Sequence, residues 1–158
     1  MNIEKLSPLL GLWKGSGNAD FPTINSTDYW EELEFSRIEK NHVLTYTQKT
    51  WYRPVETEET IPLHWESGYI KILDDGTCQL SNSQDNGRVE VLIGNIISDG
   101  ETFHIKFESK HFGNDERMVK ASRDFIVSGN ALQYLVKMST QKTPEFQGHL
   151  KAELVKAG

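Results

Sequence analysis

The sequence predicts an all-β fold, an up-and-down antiparallel barrel of about ten strands closed on itself so that no sheet edge is left open. Three observations carry that expectation. Apolar residues recur with a period of two through most of the chain, the spacing at which a strand sends side chains to one face. Turn sequences interrupt these runs every 11 to 15 residues, so consecutive strands are joined as antiparallel hairpins. Only one short segment has helical spacing. A two-sheet sandwich is the competing architecture.

The elements follow in chain order. Ile3, Leu6, Leu9 and Leu10 recur at helical intervals, with Pro8 and Gly11 limiting the length, so a turn or two of helix should plug or precede the barrel. Gly11-Leu12-Trp13-Lys14-Gly15-Ser16-Gly17 then opens the first strand. Glycines there let another backbone or a ligand come close. Phe21-Pro22-Thr23-Ile24 reads as a turn. From His42 to Tyr52, Val43 and Trp51 share one parity while Leu44, Tyr46 and Tyr52 share the other. Pro54 to Pro62, rich in Glu and Thr, is expected to be a loop. Val89, Val91, Ile93 and Ile97 form one apolar parity, as do Phe103, Ile105 and Phe107, and Leu132, Tyr134, Val136 and Met138. Each set should be the buried face of a strand. Asp74-Asp75-Gly76, Asp85-Asn86-Gly87, Ser98-Asp99-Gly100, Gly113-Asn114-Asp115 and Ser128-Gly129-Asn130 supply residues that tolerate positive φ in tight hairpins. The last strand runs from His149 to Leu154.

The 158 residues suit one domain, 1–158, with a single core. The formal charge of −6 is dispersed along the chain. That argues against a nucleic-acid partner and against an anionic membrane surface, both of which select basic clusters. No apolar run reaches the roughly 20 residues of a membrane span, and the N-terminus lacks a signal-peptide pattern, so the cytoplasm is the default location. The lone Cys78 excludes an internal disulfide and a cysteine-based zinc site.

Catalytic signatures are sparse. The glycine stretch is neither a phosphate-binding loop nor a dinucleotide fingerprint. Ser67 lacks the setting of a nucleophile elbow, and the neighbours Glu31 and Glu32 should point to opposite faces of a strand. His42, His64, His104, His111 and His149 show no zinc-like spacing. His149 differs from the others in following the break Pro144-Glu145-Phe146-Gln147-Gly148, which puts it at the mouth of the last strand.

Several blocks, taken in order, resemble a known family. Gly11-Leu12-Trp13-Lys14-Gly15-Ser16-Gly17 matches the G-x-W-x-G-x-G signature of nitrobindins, haem-binding β-barrels also found at the C-terminus of a human THAP-domain protein. Phe21-Pro22-Thr23-Ile24, Tyr29-Trp30-Glu31-Glu32 with Phe35, Lys49-Thr50-Trp51, Pro62-Leu63-His64-Trp65-Glu66-Ser67-Gly68-Tyr69 and His149-Leu150-Lys151-Ala152-Glu153-Leu154 agree in order and spacing. The resemblance implies a ten-stranded barrel shaped like lipocalins and fatty-acid-binding proteins, with one haem b at its open end. It places the proximal iron ligand on His149, Thr23 near the haem, and His64 in the cavity lining. The implied activity is nitric oxide binding and isomerisation of peroxynitrite to nitrate, with no catalytic group beyond the haem iron. The family usually has glycine in place of Ala19 and arginine in place of Lys49, and a loop before His149 one residue shorter.

Parity adds a geometric condition. Leu150, Ala152 and Leu154 share a face, whereas His149 aligns with Lys151 and Glu153. His149 can face the cavity only by preceding the regular strand or by sitting on a bulge. The haem reading leads, with enzyme activity its expected consequence. A haem-free carrier of an apolar, fatty-acid-like molecule is the alternative, and a side-chain-filled barrel acting through a partner surface is the third. A homodimer stays open.

Overall fold

The computed structural model describes residues 2–52 and 60–158. A 3-10 helix, Ile3–Leu9, comes first, its N-terminus capped by the Asn2 side chain on the Glu4 amide. Its buried residues Ile3, Leu6 and Leu9 are spaced by three, which at three residues per turn aligns them on one face. The described residues then form ten strands: β1 Gly11–Phe21, β2 Ile24–Ile38, β3 Val43–Tyr52, β4 Pro62–Ile72, β5 Cys78–Gln84, β6 Val89–Ile96, β7 Phe103–Gly113, β8 Met118–Ser128, β9 Ala131–Thr140 and β10 Gln147–Lys156. Each is antiparallel to its chain neighbours, and β1 also pairs with β10, closing the barrel. The loop expected between Pro54 and Pro62 lies, over 54–59, outside the described residues; Pro62 already belongs to β4.

The five hairpins between β4 and β9 fall where the turn sequences place them. Gly76, Gly87, Gly100, Asn114 and Gly129 each adopt positive φ, the conformation tight hairpins require. Up-and-down order sends alternate hairpins to opposite ends. The end holding the start of β1 and the Gly76, Gly100 and Gly129 turns is plugged by the helix. There Leu6, Leu9, Trp13, Phe35, Leu80 and Phe107 are buried in one apolar cluster, and the Trp13 indole donates to the Leu9 carbonyl at 2.8 Å.

The signature glycines act in this closure. On the inner face of β1, a Cβ at Gly15 would collide with the Glu153 carbonyl of β10, and one at Gly17 with the Tyr29 ring and the Lys151 carbonyl. Of the two approaches foreseen for these glycines, backbone and ligand, the contacts found are with the neighbouring strand and the Tyr29 ring.

One parity expectation fails. On β6 the buried residues are Glu90, Leu92 and Gly94, while Val89 is 38% exposed and Val91 and Ile93 lie on the outer parity. The reason is electrostatic: Glu90 is drawn inside to a buried arginine, as described below, and the valines and isoleucine fall on the outer wall.

Candidate functional site

The opposite end of the barrel is open. It leads to a cavity of about 580 Å³ whose mouth is lined by Ile24, Asn25, Tyr52, Leu63, His64, Asn86, Met118, Met138 and His149. The size is within the ordinary range for small-molecule sites. The rim is where the sheet loses its regularity: register shifts fall between Ala19 and Phe21, Thr50 and Trp51, Met118 and Lys120, and Gly148 and Leu150. Bulges of this kind re-aim side chains.

The last of these is the irregularity that parity demanded. Gly148 pairs with Lys137 and Leu150 with Val136, so His149 is the extra residue between them and lines the cavity. Asp20 lies in the β1–β2 irregularity opposite, and its carbonyl is 3.1 Å from His149 Nδ1. A carbonyl only accepts, so Nδ1 carries the proton and Nε2 presents a lone pair. Nε2 has no hydrogen-bond partner among the described residues. The Phe21 ring meets the imidazole edge-on at 5.6 Å. Burial pushes the His149 imidazole below its ordinary pKa, against the raising effect of the Asp20 carbonyl. It is therefore held neutral, the state a metal ligand needs.

Beneath the mouth the wall becomes polar. Arg123 is buried and bonds Glu66 with both terminal nitrogens, at 2.7 and 3.2 Å, and Glu90 at 2.5 Å. Tyr46 donates to Glu66 at 2.5 Å, and the Tyr134 hydroxyl accepts from Arg123 at 2.8 Å. Burial pushes the Glu66 carboxyl up, but the Arg123 guanidinium, helped by His64, outweighs it and holds the group well below the usual carboxylate range. Glu31, on the same inner wall, has no such cation. Burial pushes it up to about 8, against the hydrogen bond from Gln48 at 3.2 Å. Glu31 and Glu32 do face opposite ways: Glu32 is outside, 3.5 Å from Lys14.

The sequence-derived residues separate. His149 and His64 both line the cavity. His64 is tied at Nε2 to Glu66 Oε1, 3.0 Å away, and its Nδ1 lies 3.6 Å from Asp85. Thr23 is exposed at the tip of the β1–β2 turn, and the lining from this hairpin comes from Ala19, Ile24, Asn25 and Thr27. Gly11, Trp13, Gly15 and Gly17 serve the closed end and the β1–β10 seam. Ala19 puts its methyl in the cavity wall, whereas Lys49 lies outside over the Trp65 ring at 4.8 Å. Glu66, Glu90 and Arg123 were not singled out by sequence reading. Their signal was a charged residue on an apolar parity: Arg123 alternates with Phe125 and Val127, and Glu90 with Leu92.

Residues 2–156 match the family described as the THAP4-like, heme-binding beta-barrel domain. The chain belongs to this family. It is 41% identical over 154 residues to an Arabidopsis thaliana protein named Peroxynitrite isomerase Rv2717c, covering 98% of this chain and 88% of that one. It is 34% identical over 157 residues to the Peroxynitrite isomerase of Nocardia farcinica, covering 97% and 89%. Its fold superposes on the crystal structure of Rv2717c from M. tuberculosis with a TM-score of 0.87 at 29% identity, over 99% of this chain and 97% of the other. Haem binding, the property that describes the family, suits the donor set found here: a neutral imidazole with a free Nε2, oriented through Nδ1 by a carbonyl, beside apolar cavity lining from Ile24, Leu63, Val136 and Leu150. No helix among the described residues is long and apolar enough to cross a membrane.

Proposed function

We propose that this barrel holds one haem b through His149 Nε2, binds nitric oxide, and isomerises peroxynitrite to nitrate as a haem-dependent enzyme. The observation that carries the reading is His149 itself, displaced from its strand's alternation by a bulge and aligned by the Asp20 carbonyl. The names of the relatives support the reaction. In this reading residues 1–158 are one cytoplasmic haem domain.

Ferric haem, when bound, supplies an iron position open to nitric oxide or to the peroxide oxygen. The chain does the rest. His149 would hold the iron through Nε2, and its Nδ1 bond to Asp20 fixes the ring and raises its basicity. Ile24, Leu63, Val136 and Leu150 would supply apolar contact to the macrocycle. His64 lines the cavity but is committed to Glu66, so it acts as a polar wall group and not as a second iron ligand. Thr23 belongs to the proposal only as a group at the rim of the haem site.

The polar floor weighs against the carrier alternative. Arg123 is the buried cation that a fatty-acid carboxylate would seek, and Glu66 and Glu90 already occupy it. Displacing either carboxylate would leave an unpaired buried charge, which costs several kcal/mol.

The test is reconstitution with hemin. The protein should acquire a Soret band and convert peroxynitrite to nitrate, and His149→Ala should lose both. An unchanged spectrum in that variant would remove His149 as the ligand.

A further inference from the structure

Three adjacent strands bring three soft or borderline donors to one stretch of the rim. Met118 begins β8, Met138 is near the end of β9, and His149 is near the start of β10; all three line the cavity. Met138 pairs with Ala121 across β8–β9 and with Gln147 across β9–β10, which sets it between the other two. Met118 reaches the cavity by the same device as His149. The inward residues of β8 are Ala121, Arg123, Phe125 and Val127, so Met118 has the wrong parity, and the register shift between Met118 and Lys120 turns it inward. Both methionines are half-buried, so the open mouth gives access to them.

The chain's thiol is treated in the opposite way. Cys78 is 1% exposed in the plugged half, paired with Ile72 and Gly94, and burial pushes its pKa up. A buried thiol kept protonated is a poor nucleophile. Sulfur that reacts only as thiolate is walled off from the cavity, while sulfur that reacts as a neutral thioether forms part of its wall.

We propose that Met118 and Met138 are oxygen-atom acceptors for peroxynitrite within the cavity, giving the protein a second, self-limiting activity that yields nitrite in place of nitrate. The inference rests on the reading above for the presence of peroxynitrite. A sulfur lone pair attacks the terminal peroxide oxygen. The S–O bond forms, the O–O bond breaks, and its electron pair leaves on nitrite. The thioether is oxidised by two electrons to the sulfoxide, the peroxynitrite anion is reduced to nitrite, and no proton is gained or lost. Each sulfur acts once and is restored only by a methionine sulfoxide reductase.

The experiment treats hemin-loaded protein with less than one equivalent of peroxynitrite in the presence of free methionine at equal concentration. Sulfoxide at each residue is read by peptide mass spectrometry, and nitrite and nitrate are read in the same sample. Met118 and Met138 should be oxidised on the order of tenfold ahead of free methionine, because the cavity holds sulfur and oxidant together. Nitrite should match sulfoxide mole for mole. Leucine conserves volume, so Met118→Leu and Met138→Leu should each lower the nitrite yield and the double variant should bring it to the level that free methionine alone produces. Oxidation no faster than free methionine, or nitrite undiminished in the double variant, overturns the inference. Failure of the haem reading shows separately, as a missing Soret band. In that event the same titration of haem-free protein still reads both sulfurs, and their preferential oxidation would support the cavity assignment alone.

Discussion

On β5 and β6, Leu80 faces Leu92 across the ladder, and one inward step closer to the mouth Asn82 faces Glu90. The same strands, with the same two-residue period, build an apolar core at the plugged end and a charged cluster beneath the cavity. Leu80 and Leu92 are fully buried among aromatic rings. Asn82 donates to Glu90 at 3.1 Å, and Gln84 donates to the same carboxylate at 2.8 Å. The plugged half is held by burial, which is insensitive to pH over the neutral range. The open half is held by one guanidinium shared between two carboxylates, with a third carboxyl left to burial. Stability and site are thus divided along the barrel axis.

The largest break of this contrast should come from Arg123→Met. It strands Glu66 and Glu90 without their cation, and removing one partner of a buried ion pair costs about 3–5 kcal/mol. Chemical denaturation at pH 7 should show this loss, shrinking as the pH is lowered and the carboxylates protonate. Leu80→Ala should cost about 3 kcal/mol through its cavity, with no pH dependence and with the hemin spectrum retained. A Soret band lost in Leu80→Ala would mean that the two halves are not separable.

Glu31→Gln should act in the other direction. Burial pushes the carboxyl up to about 8 in the folded protein, from its ordinary 4.5 when unfolded. Between those values the folded state holds the extra proton, so stability falls as pH rises from 4.5 to 8 and is flat beyond. The amide removes that cost. The gain should be on the order of 2–3 kcal/mol at pH 7 and vanish below pH 4.5. A variant with an unaltered pH–stability profile would show that Glu31 is not the neutral acid described.

The smallest effect concerns His149. Its depressed pKa keeps Nε2 unprotonated into mildly acidic solution. Hemin should therefore stay bound as pH falls through about 6.5, the ordinary imidazole value, and dissociate only below it. Release centred above that value would contradict the half-buried setting of the ring.

How far the sequence was legible varied by region. The five hairpins from β4 to β9 were legible, because glycine or asparagine supplies their positive φ, whereas the β2–β3 turn places Lys40 and His42 at positive φ and carried no such signal. Parity worked for β7 and β9, whose inward residues are uniformly apolar toward the plugged end, and failed for β6. There the strand crosses from core to polar floor, and the more hydrophobic parity lies outside. The proposal of His149 as the haem ligand came from family resemblance, and alternation alone argued against it. The bulge reconciles the two. Thr23 illustrates the remaining limit: a turn can be read from Pro22 and Thr23, but which of its residues reach the cavity depends on the strand curvature behind it.

By itself the sequence determined local matters: that the chain is built of antiparallel strands, which glycine and asparagine turns join β4 to β9, and that Glu31 and Glu32 face opposite ways. These follow from backbone preferences and a two-residue period, which neighbours along the chain impose on each other. Closure through the β1–β10 ladder, rather than a two-sheet sandwich, came from the tertiary structure. Only the tertiary structure decided that Arg123 gathers Glu66 and Glu90 from strands 57 and 33 residues away. The same is true of Asp20 steering His149 across 129 residues, and of the two methionines sharing its rim. Those are contacts across the barrel or around its circumference, set by register and bulges, and a period of two carries no information about which strands lie opposite or beside one another.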